Sequence, residues 1–443
     1  MEIAYFISVV IVSLEYYMYI LSLPLLLIVI ALLSGRYKSP IYIYYIFLSL
    51  YPIVVYLYQA LVPISFLPDV VPTFGKEIYH DFYQLTFFSI LFMAITDLFL
   101  TRITGINRRK YTPPDVTKAY CQIMKVMNFI LIASLFVFVF INKGLFIDSY
   151  VYQSLRVDDF SDKISGVIGL YNTIELFYIL SLFFLVIINK HRKFVIFSFL
   201  CFLVLKMLIG SRLMLVPPLL LYLWIMINDS ESRRTIPFRK ILVYLCLILV
   251  LFVAANYFRS LKGDSLGFIG AIEQFTYEFL FATISSLYSI NYVNIHNSPD
   301  TVGMLFDSIK GVIPSFLYGG AEIKKSMMTY EMWKSSIGGY RSISPVGGYY
   351  IVGQVYLWLK SSLMVYIFFI LYAALLHFSE LYLKVKKNFL GKMIFSQMVF
   401  FGMVYGVRTE IWIFQKIYLQ QFLMTTVLFM GIVYLIKQLL TKK

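Results

Sequence analysis

Apolar runs of about 17 to 25 residues, the length a helix needs to cross a hydrocarbon core, recur along almost the whole chain. A backbone surrounded by lipid must satisfy its N–H and C=O groups internally, so runs of this length leave the helix as the only spanning element. The runs account for a composition that no soluble domain has: 60% hydrophobic residues, 14% charged, 41 Phe and 37 Tyr in 443 residues. The expected fold is all-α, a polytopic integral membrane protein forming a single membrane domain over residues 1–443. The start, MEIAYFISVV, has no basic segment, and the apolar stretch continues past Leu33 without a small-residue cleavage site. It is expected to be an uncleaved first span.

A net charge of +15 would suggest a nucleic-acid partner in a soluble protein. Here the basic residues cluster between spans. The clusters are Arg36/Lys38, then Arg102/Arg108/Arg109/Lys110/Lys118, Lys190/Arg192/Lys193, Arg233/Arg234/Arg239/Lys240, Lys384/Lys386/Lys387/Lys392, and Lys437/Lys442/Lys443. By the positive-inside rule all six face the cytoplasm, which makes the charge a topology signal and removes the nucleic-acid reading. Cys121, Cys201 and Cys246 all fall in or beside spans, so no disulfide framework is expected.

Parity then constrains the chain path. Residues 194–228 are a 35-residue apolar run with a cytoplasmic cluster on each side. As one helix the run would be about 50 Å long against a core of roughly 30 Å. Two short helices with a tip at Gly210-Ser211-Arg212 are expected, and a second hairpin tip falls at Gly406-Val407-Arg408-Thr409-Glu410. Spans are expected near 14–33, 41–62, 81–100, 120–141, 166–188, 194–209, 213–228, 241–258, 361–380, 393–407 and 417–436. That gives about eleven with the N-terminus outside, or twelve if the N-terminal run holds two helices. Residues 259–358 form a large outer, periplasmic excursion. Within it, Gly267 to Val293 has apolar residues at near-helical spacing and is expected to lie along the membrane surface.

Arg212, Arg259 and Arg408 fall at three outer helix ends, with Arg341 in the loop above them. A guanidinium suits two-point contact with phosphate and stays charged at a half-dry interface. One arginine at a span end is accounted for by snorkelling to headgroups. Several on the outer face, against the positive-inside bias, point to a shared anionic ligand such as a lipid pyrophosphate. Glu278, Glu322, Glu410 and Asp264 are candidate general bases, and the residues alone do not choose among them. Tyr340, Tyr349 and Tyr350, beside the glycines of GGYR and PVGGYY, are candidates for stacking on sugar rings. His296 reads as a loop residue, and no His, Cys or carboxylate spacing suggests a metal site or another cofactor.

With these features the chain resembles the oligosaccharide repeat-unit polymerases, the O-antigen polymerase (Wzy) family. The resemblance rests on GSR at Gly210 to Arg212, Arg259, PVGGYY at Pro345 to Tyr350 and GVRTE at Gly406 to Glu410, in that order on this topology. It implies a glycosyltransferase of the bacterial cytoplasmic (inner) membrane with its active site facing the periplasm. The donor and acceptor would be undecaprenyl-pyrophosphate-linked oligosaccharides, the product an O-antigen or similar surface polysaccharide, and the partners the bilayer and a polysaccharide co-polymerase. Arg212, Arg408, Glu410 and Glu278 would be catalytic; Arg259, Arg341, Tyr349 and Tyr350 would bind substrate. The related O-antigen ligases carry a His-Asn pair followed by glycines. His296-Asn297 is present here, but Asp307 stands where the first glycine is expected. A lipid-linked oligosaccharide flippase is the alternative from another class. It calls for cations deep in a central cavity and short loops.

Overall fold

The structure, a computed structural model, describes residues 2–61, 75–148, 162–209, 213–228, 268–295, 350–408 and 425–441. The described residues are helical and contain no strand. The helices are α1 (Glu2–Ser34), α2 (Pro40–Leu61), α3 (Lys76–Thr104), α4 (Lys118–Ile141), α5 (Asp162–Ile188), α6 (Arg192–Ile209), α7 (Val216–Asn228), α8 (Phe268–Ile295), α9 (Ile351–Leu359), α10 (Ser362–Val385), α11 (Phe389–Arg408) and α12 (Thr425–Thr441). Among the described residues, seven helices, α1 to α5, α10 and α11, are long and apolar enough to cross a bilayer; Val216–Asn228 and Thr426–Ile436 are shorter apolar helices. The N-terminal run is one continuous helix despite Pro24, not two. The expected span at 241–258 lies outside the described residues.

The chain divides into two compact units. Unit 1 comprises Met1–Arg108, Thr276–Glu380 and Gly402–Lys416; unit 2 comprises Arg109–Phe275, Leu381–Phe401 and Ile417–Lys443. In unit 1, Gly35 at φ 61° ends α1 in the left-handed region that suits glycine, and the chain turns back into α2. The two helices pair antiparallel: the Tyr42 hydroxyl donates to the Leu27 carbonyl at 3.1 Å, and the rings of Tyr16 and Tyr56 stack at 6.2 Å. Leu21, Leu25, Leu32 and Leu33 remain exposed on α1, as suits a lipid-facing surface. Gly105, at φ 60°, ends α3 in the same way as Gly35 ends α1.

The second half of α8 departs from the expectation of a surface helix. Every residue from Ala282 to Ile290 is buried, so no face is left for headgroups. Ala282, Ser285, Ser286 and Ser289 keep the helix slim, and small residues let neighbouring backbones approach. Gly353 of α9 uses that space: a Cβ there would stand 2.3 Å from the Ser286 Cβ. The Thr283 hydroxyl also reaches the Tyr51 carbonyl of α2 at 3.3 Å.

Unit 2 is built around α5, where Tyr178 to Ile188 are buried without a break. Asn128 of α4 donates to the Ser181 hydroxyl at 2.8 Å and accepts from the Ser198 hydroxyl of α6 at 2.7 Å, while the Tyr178 and Ser198 hydroxyls meet at 2.7 Å. These bonds lock α4, α5 and α6 together where apolar packing alone would let helices slide. The expected break after Ile209 is present. α6 and α7 are separate helices, and Phe199 packs on Tyr222 at 5.8 Å. In the same unit, Gln397 of α11 and Thr426 of α12 exchange hydrogen bonds at 3.0 and 3.2 Å.

Within each unit, helix ends that charge parity assigns to one side do meet. In unit 2 the Tyr111 N–H donates to the Asn228 carbonyl at 2.8 Å, its hydroxyl to Ile187 at 2.5 Å, and Lys392 Nζ to the carbonyls of Thr112 and Leu383 at 2.5 Å each.

Candidate functional site

Most of the side chains singled out from sequence fall on parts of the chain for which no placement is given. Arg212, Arg259, Arg341, Tyr349 and Glu410 lie outside the described residues. Glu278 is on α8 and Arg408 is the last residue of α11, with both side chains outside the described set.

Tyr350 is fully described, and its position corrects the expectation of a sugar platform. The ring is completely buried in unit 1, stacked on Tyr51 at 5.5 Å and edge-on to Phe82 at 5.7 Å. Its hydroxyl donates to the Leu48 carbonyl at 2.7 Å, its N–H to Ala282 at 2.9 Å, and its carbonyl accepts from the Ser286 hydroxyl at 2.9 Å. Tyr350 is the peg that joins α2, α8 and α9, and it offers no face to a carbohydrate. The flanking glycines signal a turn, but only the surrounding helices decide whether the ring after the turn points in or out.

Ionisable residues inside the spans were the signal that sequence reasoning underused. A charged side chain in hydrocarbon needs a partner, so each is a candidate functional position. Lys206 interrupts the apolar run of α6 one turn before its end, and the structure supplies its partner. The ammonium is 2% exposed, ion-paired with the buried Glu175 of α5 and hydrogen-bonded to the Tyr171 hydroxyl at 3.2 Å. The rings of Tyr171 and Phe202 flank it at 5.4 and 5.3 Å. This pair fastens the end of α6 that leads into Gly210.

A second ionic cluster ties the α1–α2 turn to α3 and α10 in unit 1. Arg36 Nε donates to Asp97 Oδ2 at 2.8 Å, and its Nη2 donates to Glu380 Oε2 at 2.7 Å and to the Ser39 hydroxyl at 2.9 Å. Ser39 in turn donates to Glu380 at 2.5 Å. Burial alone would lower the Arg36 pKa, but Glu380 and Asp97 outweigh it and hold the guanidinium above its ordinary value. His377 completes the cluster, with Nδ1 2.7 Å from Asp97 Oδ1 and Nε2 3.0 Å from the Thr104 hydroxyl. Thr104 directs its single proton to the Leu100 carbonyl at 2.8 Å. The His377 ring thus bridges the Asp97 carboxylate and the end of α3 at Thr104. Arg36, grouped by sequence with the topology-setting cations, is a buried residue at 2% exposure.

Among the described residues, no group of three or more His, Cys, Asp or Glu side chains is placed to hold a metal ion. Comparison with known proteins finds no matching family model, no matching curated protein and no matching solved structure.

Proposed function

We propose that the chain is a membrane glycosyltransferase that polymerises undecaprenyl-pyrophosphate-linked oligosaccharide repeat units into a surface polysaccharide on the outer face of a bacterial cytoplasmic membrane. The observation that supports this most is the division of the 194–228 run into α6, ending at Ile209, and α7, beginning at Val216. Arg212 then falls in sequence between two helices and not within one long span, in the middle of which an arginine costs roughly 2.5 to 3.5 kcal/mol. Arg408 is likewise the last residue of a helix, α11.

In the proposed reaction a hydroxyl of one lipid-linked repeat unit attacks the anomeric carbon of the growing chain. The new glycosidic C–O bond forms as the anomeric carbon–phosphate oxygen bond breaks. The hydroxyl proton passes to a carboxylate, Glu410 or Glu278, and undecaprenyl pyrophosphate departs with the bond electrons. Arg212, Arg259 and Arg408 stabilise the charge that builds on that pyrophosphate. Preorganised donors of this kind are worth roughly 3 to 4 kcal/mol each. No cofactor enters this reading, and the polysaccharide co-polymerase remains the proposed partner.

Replacing Arg212 or Arg408 by Lys keeps the charge and removes the planar fork. Losing one charge-assisted bond, about 1.5 to 3 kcal/mol, slows elongation about ten- to a hundredfold. A strain carrying either variant is expected to display a single repeat unit on its final acceptor. Undisplayed units retained on the cytoplasmic side would identify a flippase instead, and long polymer held on the lipid carrier would identify a ligase. Normal chain lengths in both variants, at normal protein levels, would overturn the role given to the arginines.

A further inference from the structure

An open concavity of about 830 Å³ in unit 2 is lined by Lys125 of α4 and by the α5–α6 turn and the start of α6, from Asn189 to Lys193. Charge parity puts this end of the helices on the cytoplasmic side, at the edge of the bilayer and opposite in sense to the proposed reaction. Lys125, Lys190, Arg192 and Lys193 bring four cations to one depression. Among the described residues no carboxylate stands within ion-pair distance of Lys125, Lys190 or Lys193. The Arg192 Nε is turned onto the Asn189 side-chain oxygen at 3.2 Å, and Asn189 sits at φ 57°, a left-handed conformation that asparagine tolerates.

The walls of the depression are fixed in advance. Lys125 lies one turn from Asn128, and Lys193 just over one turn from Ser198, the two residues whose hydrogen bonds clamp α4 and α6 onto α5. The cations therefore cannot relieve their repulsion by moving the helices apart. His191, in the same turn, registers the uncompensated field. Burial, then Lys125, then Lys190 hold its pKa below the ordinary histidine value.

We propose that this depression binds a phosphate group, supplied at the bilayer edge by the headgroup of an anionic phospholipid. A phosphate diester would neutralise the converging cations and accept hydrogen bonds from Lys125 and Lys190, while its acyl chains extend along the apolar faces of α4 and α6. Exposed Val126, Phe129 and Ile130 on α4 and Phe197 and Leu200 on α6 provide such faces. Generic attraction between basic turns and an anionic leaflet is about additive in the number of cations. A built site depends on which cations are removed.

The test uses the purified full-length protein in phosphatidylcholine nanodiscs doped with cardiolipin, with retained lipid counted by native mass spectrometry. Lys125→Gln/Lys190→Gln is expected to weaken cardiolipin retention about a hundredfold or more, from the loss of two charge-assisted hydrogen bonds to phosphate. Arg109→Gln/Lys110→Gln removes the same charge from exposed positions outside the depression and is expected to retain nearly all of it. The single variant Lys190→Gln, in the exposed turn, gives an intermediate loss and guards against misfolding of the double variant. Displacement of cardiolipin by soluble inorganic pyrophosphate would assign the site to free phosphate compounds, and resistance to it would assign the site to the lipid. Equal losses in the two double variants, or no loss in Lys125→Gln/Lys190→Gln, would overturn the proposal.

Discussion

The buried Arg36–Glu380 pair of unit 1 makes a prediction about coupling. Arg36→Met leaves the Glu380 carboxylate without its cation, and Glu380→Leu leaves the guanidinium with Asp97 as its remaining carboxylate. Arg36, Asp97, His377 and Glu380 are all at most 2% exposed, so either single change breaks an ion pair that water cannot reach, at a cost of about 3 to 5 kcal/mol. The double variant Arg36→Met/Glu380→Leu keeps the His377–Asp97 contact, 2.7 Å apart, and removes both members of the ion pair together. It should be more stable than either single variant, with a coupling of about 3 kcal/mol or more between the two sites. Reversible unfolding of purified protein in mixed micelles, followed for the wild type and all three variants, measures that coupling. Strict additivity of the two single changes would refute the coupling.

The Lys206–Glu175 pair should behave similarly: Lys206→Met alone costs about 3 to 5 kcal/mol in the same unfolding assay, and adding Glu175→Leu recovers most of it. Gly353→Ala puts a Cβ 2.4 Å from the Ser286 Cα, a backbone atom that cannot step aside. A loss of about 1 to 3 kcal/mol is expected from overpacking, while Gly166→Ala, with nothing within 4 Å of the added carbon, should gain up to about 1 kcal/mol from helix propensity; equal melting temperatures for the two would contradict the α8–α9 contact. Tyr350→Phe removes the bond to the Leu48 carbonyl and should cost about 1 kcal/mol of stability. Polymer chain length should be unchanged, whereas a sugar-binding tyrosine would alter it.

The elements that the sequence disclosed are those set by local arithmetic. The end of α6 at Ile209 and the end of α7 at Asn228 were readable because a 35-residue apolar run between two basic clusters cannot be one span. The meeting of Tyr111 with Asn228 and Ile187 was implicit in the same charge count. The errors occurred where partners mattered. α8 looked amphipathic enough to float at the surface, yet its serines and alanine fit it among α2 and α9. Asp97, Glu175, His377 and Glu380 interrupt apolar helices, and their partners lie across the fold and not along the chain. An ionisable residue within a predicted span would have marked each of them.

Where long apolar helices fall follows from hydrophobicity counted along the chain, since the bilayer imposes its thickness on every segment separately. The sequence by itself therefore determined that this is a helical membrane protein, with seven of its described helices long and apolar enough to cross a bilayer. Which cation neutralises which buried carboxylate is a different kind of fact. Arg36 and Glu380 are 344 positions apart, and nothing local to either says that α1, α3 and α10 bring their ends together. Only the tertiary structure decided that Arg36 is a buried counter-ion and that Tyr350 is packed away from solvent. Burial depends on every neighbouring helix at once, whereas insertion depends on one segment at a time.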